Sequence, residues 1–152
     1  MDEIHLNNLD LYRYNRECQA HNDFVDLLMQ DADIINSAGN VREKLSGLYL
    51  PGQIWENGFL VGKQEDLLGY VYLYRHSFST RIATMNYAVQ RDFRGNGYGS
   101  MILQEVGDFI FENQKIIDLI ALIINNLNVN SIDAAKRAGF IKQEMFYVRG
   151  RI

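Results

Sequence analysis

The sequence holds one cysteine, one proline and one tryptophan. A lone Cys18 excludes an intrachain disulfide and any multi-cysteine metal site, and it fits a reducing compartment. A lone Pro51 argues against a proline-rich linker. Positive charge is not in excess: the net charge is −4, so no global basic field draws the chain to nucleic acid or to anionic lipid. Long apolar runs are missing too. Ile116 to Ile124 is broken by Asp118 and falls far short of the ~20 residues a membrane helix needs. The sequence contains no low-complexity tract and no internal repeat. Its start, MDEIHLNNLD, is acidic and polar, unlike a signal peptide. A cytoplasmic location with no membrane, nucleic-acid or metal partner is the expectation.

What is present suits one domain over residues 1–152. At 152 residues and 47% hydrophobic, the chain can bury a substantial core. Glu3 to Leu6 predicts a short first strand. From Leu9 to about Ile35 the pattern is helical, with Phe24, Leu27, Leu28, Ile34 and Ile35 on one face. Asp23, Asp26, Asp31 and Asp33 crowd that segment, as a solvated face or as an acidic wall for a cationic substrate. Ala38 to Asn40 reads as a break, Val41 to Leu48 as a short helix, and Tyr49 to Gln53 as a turn. A period of two then predicts strands over Gly58 to Lys63, Leu67 to Tyr74 and Arg81 to Gln90, an antiparallel meander. Tyr70, Tyr72 and Tyr74 share a face of the second.

Ile102, Leu103, Val106, Phe109 and Ile110 form the core stripe of a helix. Ile116 to Ile124, apolar on both faces, predicts a central strand covered on two sides. Strand, helix, strand in that order implies a right-handed crossover and parallel pairing. Asn130 with Asp133 predicts the start of a last helix, and Gly139-Phe140 its end. Ile141 to Ile152 reads as one or two final strands around a turn.

The stretch Ala88 to Leu103, AVQRDFRGNGYGSMIL, joins a strand to a helix through Gly95, Gly97 and Gly99, with Arg91 and Arg94 just ahead. Backbone N–H groups at a helix start, beside cations, suit anionic oxygens such as phosphate. The Walker pattern fails because no Lys followed by Ser or Thr comes after Gly99. The dinucleotide fingerprint fails because its third glycine would fall at Ser100 or Ile102. Taken alone, the remaining spacing also suits a tight strand-to-helix turn.

Arg94-x-x-Gly97-x-Gly99 resembles the Arg/Gln-x-x-Gly-x-Gly/Ala motif of the GCN5-related N-acetyltransferase (GNAT) superfamily. Asn128-x-x-Ser131, followed by eight residues and Gly139-Phe140, resembles that superfamily's second block. The form with Ser at this place is similar to the branch that acetylates ribosomal-protein amino termini. The two blocks stand in the family's order and cover roughly Ile82 to Phe140.

The resemblance implies an α/β fold whose mixed, mostly antiparallel sheet splays at a central parallel pair, with helices on both faces. It implies acetyl-CoA as the cofactor. Tyr87, Ala88 and Val89 would line the cleft. Arg94, Gly95, Asn96, Gly97, Tyr98, Gly99 and Ser100 would cradle the pyrophosphate. Asn128 would reach the pantetheine or the acetyl end, and Ser131 would be catalytic, against the sulfur. Many members carry a Tyr four residues before the Gly-Phe pair; Ala135 stands there in this chain, and Tyr147 is a candidate replacement. Glu56, His76 and the tyrosine row are candidate bases. The implied activity is acetyl transfer to a primary amine, either a small molecule or a protein N-terminus. The alternatives are a non-catalytic acyl-CoA sensor of the same fold and a different nucleotide-binding enzyme. Oligomeric state, a homodimer included, is left open.

Overall fold

The computed structural model describes residues 3–47, 54–75, 79–124, 128–143 and 146–151. The expected turn at Tyr49 to Gln53 and the candidate base His76 lie outside them.

Eight strands form one sheet. They are β1 (Glu3–His5), β2 (Asp10–Tyr12), β3 (Asn57–Lys63), β4 (Asp66–Arg75), β5 (Ile82–Val89), β6 (Leu119–Ile123), β7 (Ile141–Gln143) and β8 (Phe146–Gly150). Their order across the sheet is β1-β2-β3-β4-β5-β6-β8-β7. Neighbours pair antiparallel except β5 and β6, which run parallel. The helices are α1 (Gln19–Gln30), α2 (Ala32–Ala38), α3 (Val41–Leu45), α4 (Tyr98–Asn113) and α5 (Val129–Arg137).

The alternation of the strands divides the core between two faces. Leu60, Tyr70 and Ala88 pack with Phe24, Leu28, Ile34 and Val41 of α1–α3. Phe59, Val61, Val71, Leu73 and Met85 point the other way, to Ile102, Leu103, Val106 and Ile110 of α4. Both faces of β3 and β4 are therefore apolar, as a sheet with helices on each side requires. On α4, the buried Glu105 carboxylate accepts from the Asn8 and Leu9 N–H groups at 2.8 and 3.2 Å and fixes the β1–β2 turn.

Three expectations are corrected. The helix predicted from Leu9 starts only at Gln19, because Leu9 and Leu11 alternate into the core and Asp10–Tyr12 pairs with β3. The last helix starts earlier than Asn130: Asn128 caps it, its side-chain carbonyl accepting from Ser131 N at 3.2 Å. The strand within Ile116 to Ile124 shrinks to five residues and is covered on two sides only in part: Ile120 and Leu122 sit in the α4 core and Ala121 is buried on the other face, whereas Ile123 on that face is 64% exposed.

Parallel pairing of β5 and β6 is limited to Ile82↔Leu119, Ala83↔Ile120 and Thr84↔Ala121. Beyond Thr84 the strands part. Among the described residues, Met85 to Val89 pairs with β4 but with nothing on its other side. Backbone polar groups along that edge require a partner from outside the sheet.

Candidate active site

The free edge of β5 leads straight into the glycine loop. Gln90, itself buried, accepts from Asp92 N at 2.9 Å and starts a single 3₁₀ turn over Arg91–Phe93. Arg94 is extended, and Gly97 then starts α4 with φ +81°. That left-handed conformation is costly for any residue with a Cβ. Gly97 brings no side-chain cap, and the first turn of α4 carries no carboxylate. The first intrahelical bond is Met101 N to Gly97 O, so the N–H groups of Tyr98, Gly99 and Ser100 have no partner within the helix. The positive end of a 16-residue helix is thus left bare.

A cleft of about 690 Å³ opens over this turn. Tyr87, Ala88 and Val89 line it from β5. Arg94, Gly95, Gly97, Tyr98, Gly99 and Ser100 line it from the loop and α4, and Asn128 and Ser131 from α5. Of the expected residues only Asn96 stands aside, its amide donating to Phe93 O and Arg94 O at 3.2 and 3.3 Å. Asn96 shapes the loop from outside.

Arg94 lines the cleft, but its guanidinium is engaged. Nε donates to Val89 O at 3.0 Å and Nη2 to Asp31 Oδ2 at 2.8 Å. Arg91 approaches the other oxygen of Asp31 at 3.5 Å. Asp31 is 7% exposed and also caps α2 by accepting from Asp33 N at 3.0 Å. Burial pushes the Asp31 carboxyl up, yet Arg94, the Asp33 N–H and Arg91 outweigh it and hold the carboxyl below its ordinary value. Asp31 is neither a solvated face nor an acidic wall. It ties the α1–α2 corner to the glycine loop.

Tyr87 is half-buried. Its ring passes 3.3 Å from the point a Gly99 Cβ would occupy, with its hydroxyl 3.6 Å and Ala134 Cβ 3.4 Å from that point. Gly99 thus lets β5, α4 and α5 pack closely, and a Cβ there would press on the Tyr87 ring. Burial raises the Tyr87 phenol above its ordinary value, and the nearby Ser131 hydroxyl opposes this. Tyr98 is partly buried, its ring edge-on to Phe93 and its centroid 5.7 Å from Lys63 Nζ. Asp33, one of the acidic-wall candidates, lines the cleft from α2; the sequence reading missed Asn36 and Ser37 beside it, and Arg137 of α5. Arg137 was detectable, since Asn130, Ala134 and Arg137 recur at helical spacing on one side of α5. Asn36 and Ser37 carry no local signal, because only the tertiary fold brings them to the loop.

These features can be set against known proteins. A family model described as an acetyltransferase (GNAT) domain matches residues 15–141. The chain belongs to the GNAT acetyltransferase family. It is accordingly an acyltransferase. No curated protein matches the sequence. Among solved structures, a GNAT-family acetyltransferase from Bacillus anthracis superposes with a TM-score of 0.79 at 13% identity, over 97% of this chain and 98% of that one. The aminoglycoside acetyltransferase AAC(6')-Ib in complex with coenzyme A gives 0.74 at 15% identity, over 95% and 94%. RimL, the ribosomal L7/L12 alpha-N-protein acetyltransferase, in complex with coenzyme A gives 0.68 at 14%, over 97% of each chain. At such identities the likeness is one of fold.

Within this GNAT fold the position of the absent Tyr is filled by Ala135, fully buried in the core beside α4. Tyr147 does not replace it: it is 3% exposed, pairs with Leu122 and Lys142, and lies in the same core away from the cleft. Glu56 accepts from the Tyr72 hydroxyl at 3.3 Å and lines a separate 280 Å³ cavity with Tyr72 and Lys44. Among the described residues, no group of His, Cys, Asp or Glu could hold a metal ion.

Proposed function

We propose that this GNAT protein is an acetyl-CoA-dependent N-acetyltransferase whose acceptor is a primary amine. The observation that carries the reading is the continuous path from the unpaired edge of β5 to the bare N-terminus of α4. A ligand with amides at one end and phosphates at the other satisfies both. The loop has room for it, since nothing lies within 4 Å of where a Cβ on Gly95 or Gly97 would stand.

In this reading the N–H groups of Tyr98, Gly99 and Ser100 hold the pyrophosphate. Arg94 supports them by bracing the loop against Asp31. Main-chain groups of Tyr87 and Val89 hold the amides of the pantetheine arm. Acetyl-CoA, when bound, supplies a thioester carbonyl. Backbone N–H groups of the parted edge of β5 would donate to an oxyanion there, and the Ser131 hydroxyl would meet the sulfur. The amine enters past α2, where Asp33, Asn36 and Ser37 offer acceptors to a cation. AAC(6')-Ib and RimL are named for aminoglycosides and for a ribosomal protein N-terminus, and both are amine acceptors. A single domain accounts for the whole chain in this reading.

Gly97→Glu tests it, by setting a carboxylate where phosphate would lie. Titration calorimetry should show acetyl-CoA affinity falling at least about 100-fold, some 2.7 kcal/mol, with the fold retained by circular dichroism. Normal affinity would remove the loop from the site. Release of free thiol from acetyl-CoA with a panel of amines tests transfer itself. Binding without turnover on a broad panel would favour the acyl-CoA sensor.

A further inference from the structure

Among the described residues, two arginines line the cleft. Arg94 is tied to Val89 O and Asp31. Arg137 is exposed and makes no ion pair or hydrogen bond among the described residues. Asp133 stands four residues before it, the spacing of a helical ion pair, yet the two are not paired. Lys136 and Arg137 together close α5, where positive charge complements the helix dipole. Of these two, Arg137 alone lines the cleft. Ala134 sets its Cβ 3.4 Å from the point a Gly99 Cβ would occupy, so α5 touches the bare start of α4 there. Arg137 stands one turn beyond that contact, and Ser131 one turn before it.

We infer that Arg137 grips the ribose 3′-phosphate of the acyl donor and makes the site select coenzyme A over dephospho-coenzyme A. This inference rests on the acetyl-CoA reading above. In that reading the thioester lies toward Ser131, so α5 runs from the reacting end toward the nucleotide end. The pyrophosphate takes the N–H groups of Tyr98, Gly99 and Ser100. A phosphate monoester remains, with about −1.5 to −2 charge near pH 7. It enters a chain of net charge −4 and a cleft that Asp33 and Asp133 also line. Such an anion needs a local cation, and the planar fork of a guanidinium matches its oxygens two at a time. Arg137 brings that fork to the cleft with no carboxylate already on it among the described residues.

Coenzyme A and dephospho-coenzyme A, titrated by calorimetry into the wild type, Arg137→Gln and Lys136→Gln, test this without any acceptor. The wild type should prefer coenzyme A by about tenfold, the low end for a charge-assisted hydrogen bond, because the site is exposed and screened. Arg137→Gln should cut the preference to within about twofold and leave dephospho-coenzyme A affinity within about twofold of wild type. Lys136→Gln removes the same charge from the same helix end and should keep the preference. The inference is overturned if Arg137→Gln keeps the preference, or if it weakens both ligands equally, as a pyrophosphate contact or a purely structural helix end would. It is overturned equally if Lys136→Gln lowers the preference as much as Arg137→Gln does. A wild type that binds the two ligands alike overturns this inference alone. A wild type that binds neither brings down the acetyl-CoA reading as well, a distinct result.

Discussion

A guanidinium that donates to a backbone carbonyl and to a buried carboxylate is fixed at two points. Arg94 is in that position, between Val89 O and Asp31. The motif arginine therefore acts as a brace for the glycine loop. Asp31 is the other end of the brace, 63 residues away in sequence, and no local pattern announces such a partner. Asp31→Asn should cost about 1–3 kcal/mol at pH 7, because it weakens a buried charge-assisted hydrogen bond and leaves the arginines short of a counter-charge. The pH dependence has a fixed sign. The folded-state carboxyl lies below its ordinary 3.8, so its contribution is complete above that value and fades as pH falls through the lowered one. Urea denaturation of wild type and variant at pH 7 and near pH 3 should show the gap narrowing in acid. An unchanged gap would contradict the assignment.

At the scale of elements, α5 carries the second motif, and its cap decides where Ser131 sits. Asn128→Ala should cost about 1 kcal/mol in thermal or urea unfolding, the usual value of an N-cap. The register of this cap was hard to read, because asparagines recur at positions 125, 126, 128 and 130 and each suits a helix start. The long helix α4 was legible from its apolar spacing, whereas the stretch read from Leu9 to Ile35 hid both the late start of α1 and the break at Asp31, and two residues of its expected apolar face, Leu27 and Ile35, are exposed. The three-residue β2 was not legible, since two alternations are too few to outweigh the helical pattern that follows. Ala135 was read as a departure from the family, and the fold gives its physical reason: the position is fully enclosed. Ala135→Tyr should accordingly destabilise by at least about 1–3 kcal/mol through overpacking, measured as a lowered melting temperature. Wild-type stability in that variant would mean the core beside α5 is looser than described.

For the molecule as a whole, the sheet closes at one end of the parallel pair and opens at the other, and the opening points at the bare start of α4. This much was legible, because the strand–helix–strand order fixes the crossover and the glycine spacing marks its loop. The α2 side of the cleft was not, since the approach of its residues depends on packing around Asp31. The central claim, that the acyl donor completes the sheet and caps the helix at once, is tested most directly by amide hydrogen exchange with and without acetyl-CoA. The account predicts new protection in two stretches, Met85 to Val89 and Tyr98 to Ser100, with little change along β1–β3. Acetyl-CoA binding that leaves the amides of both stretches exchanging as in the free protein would contradict it.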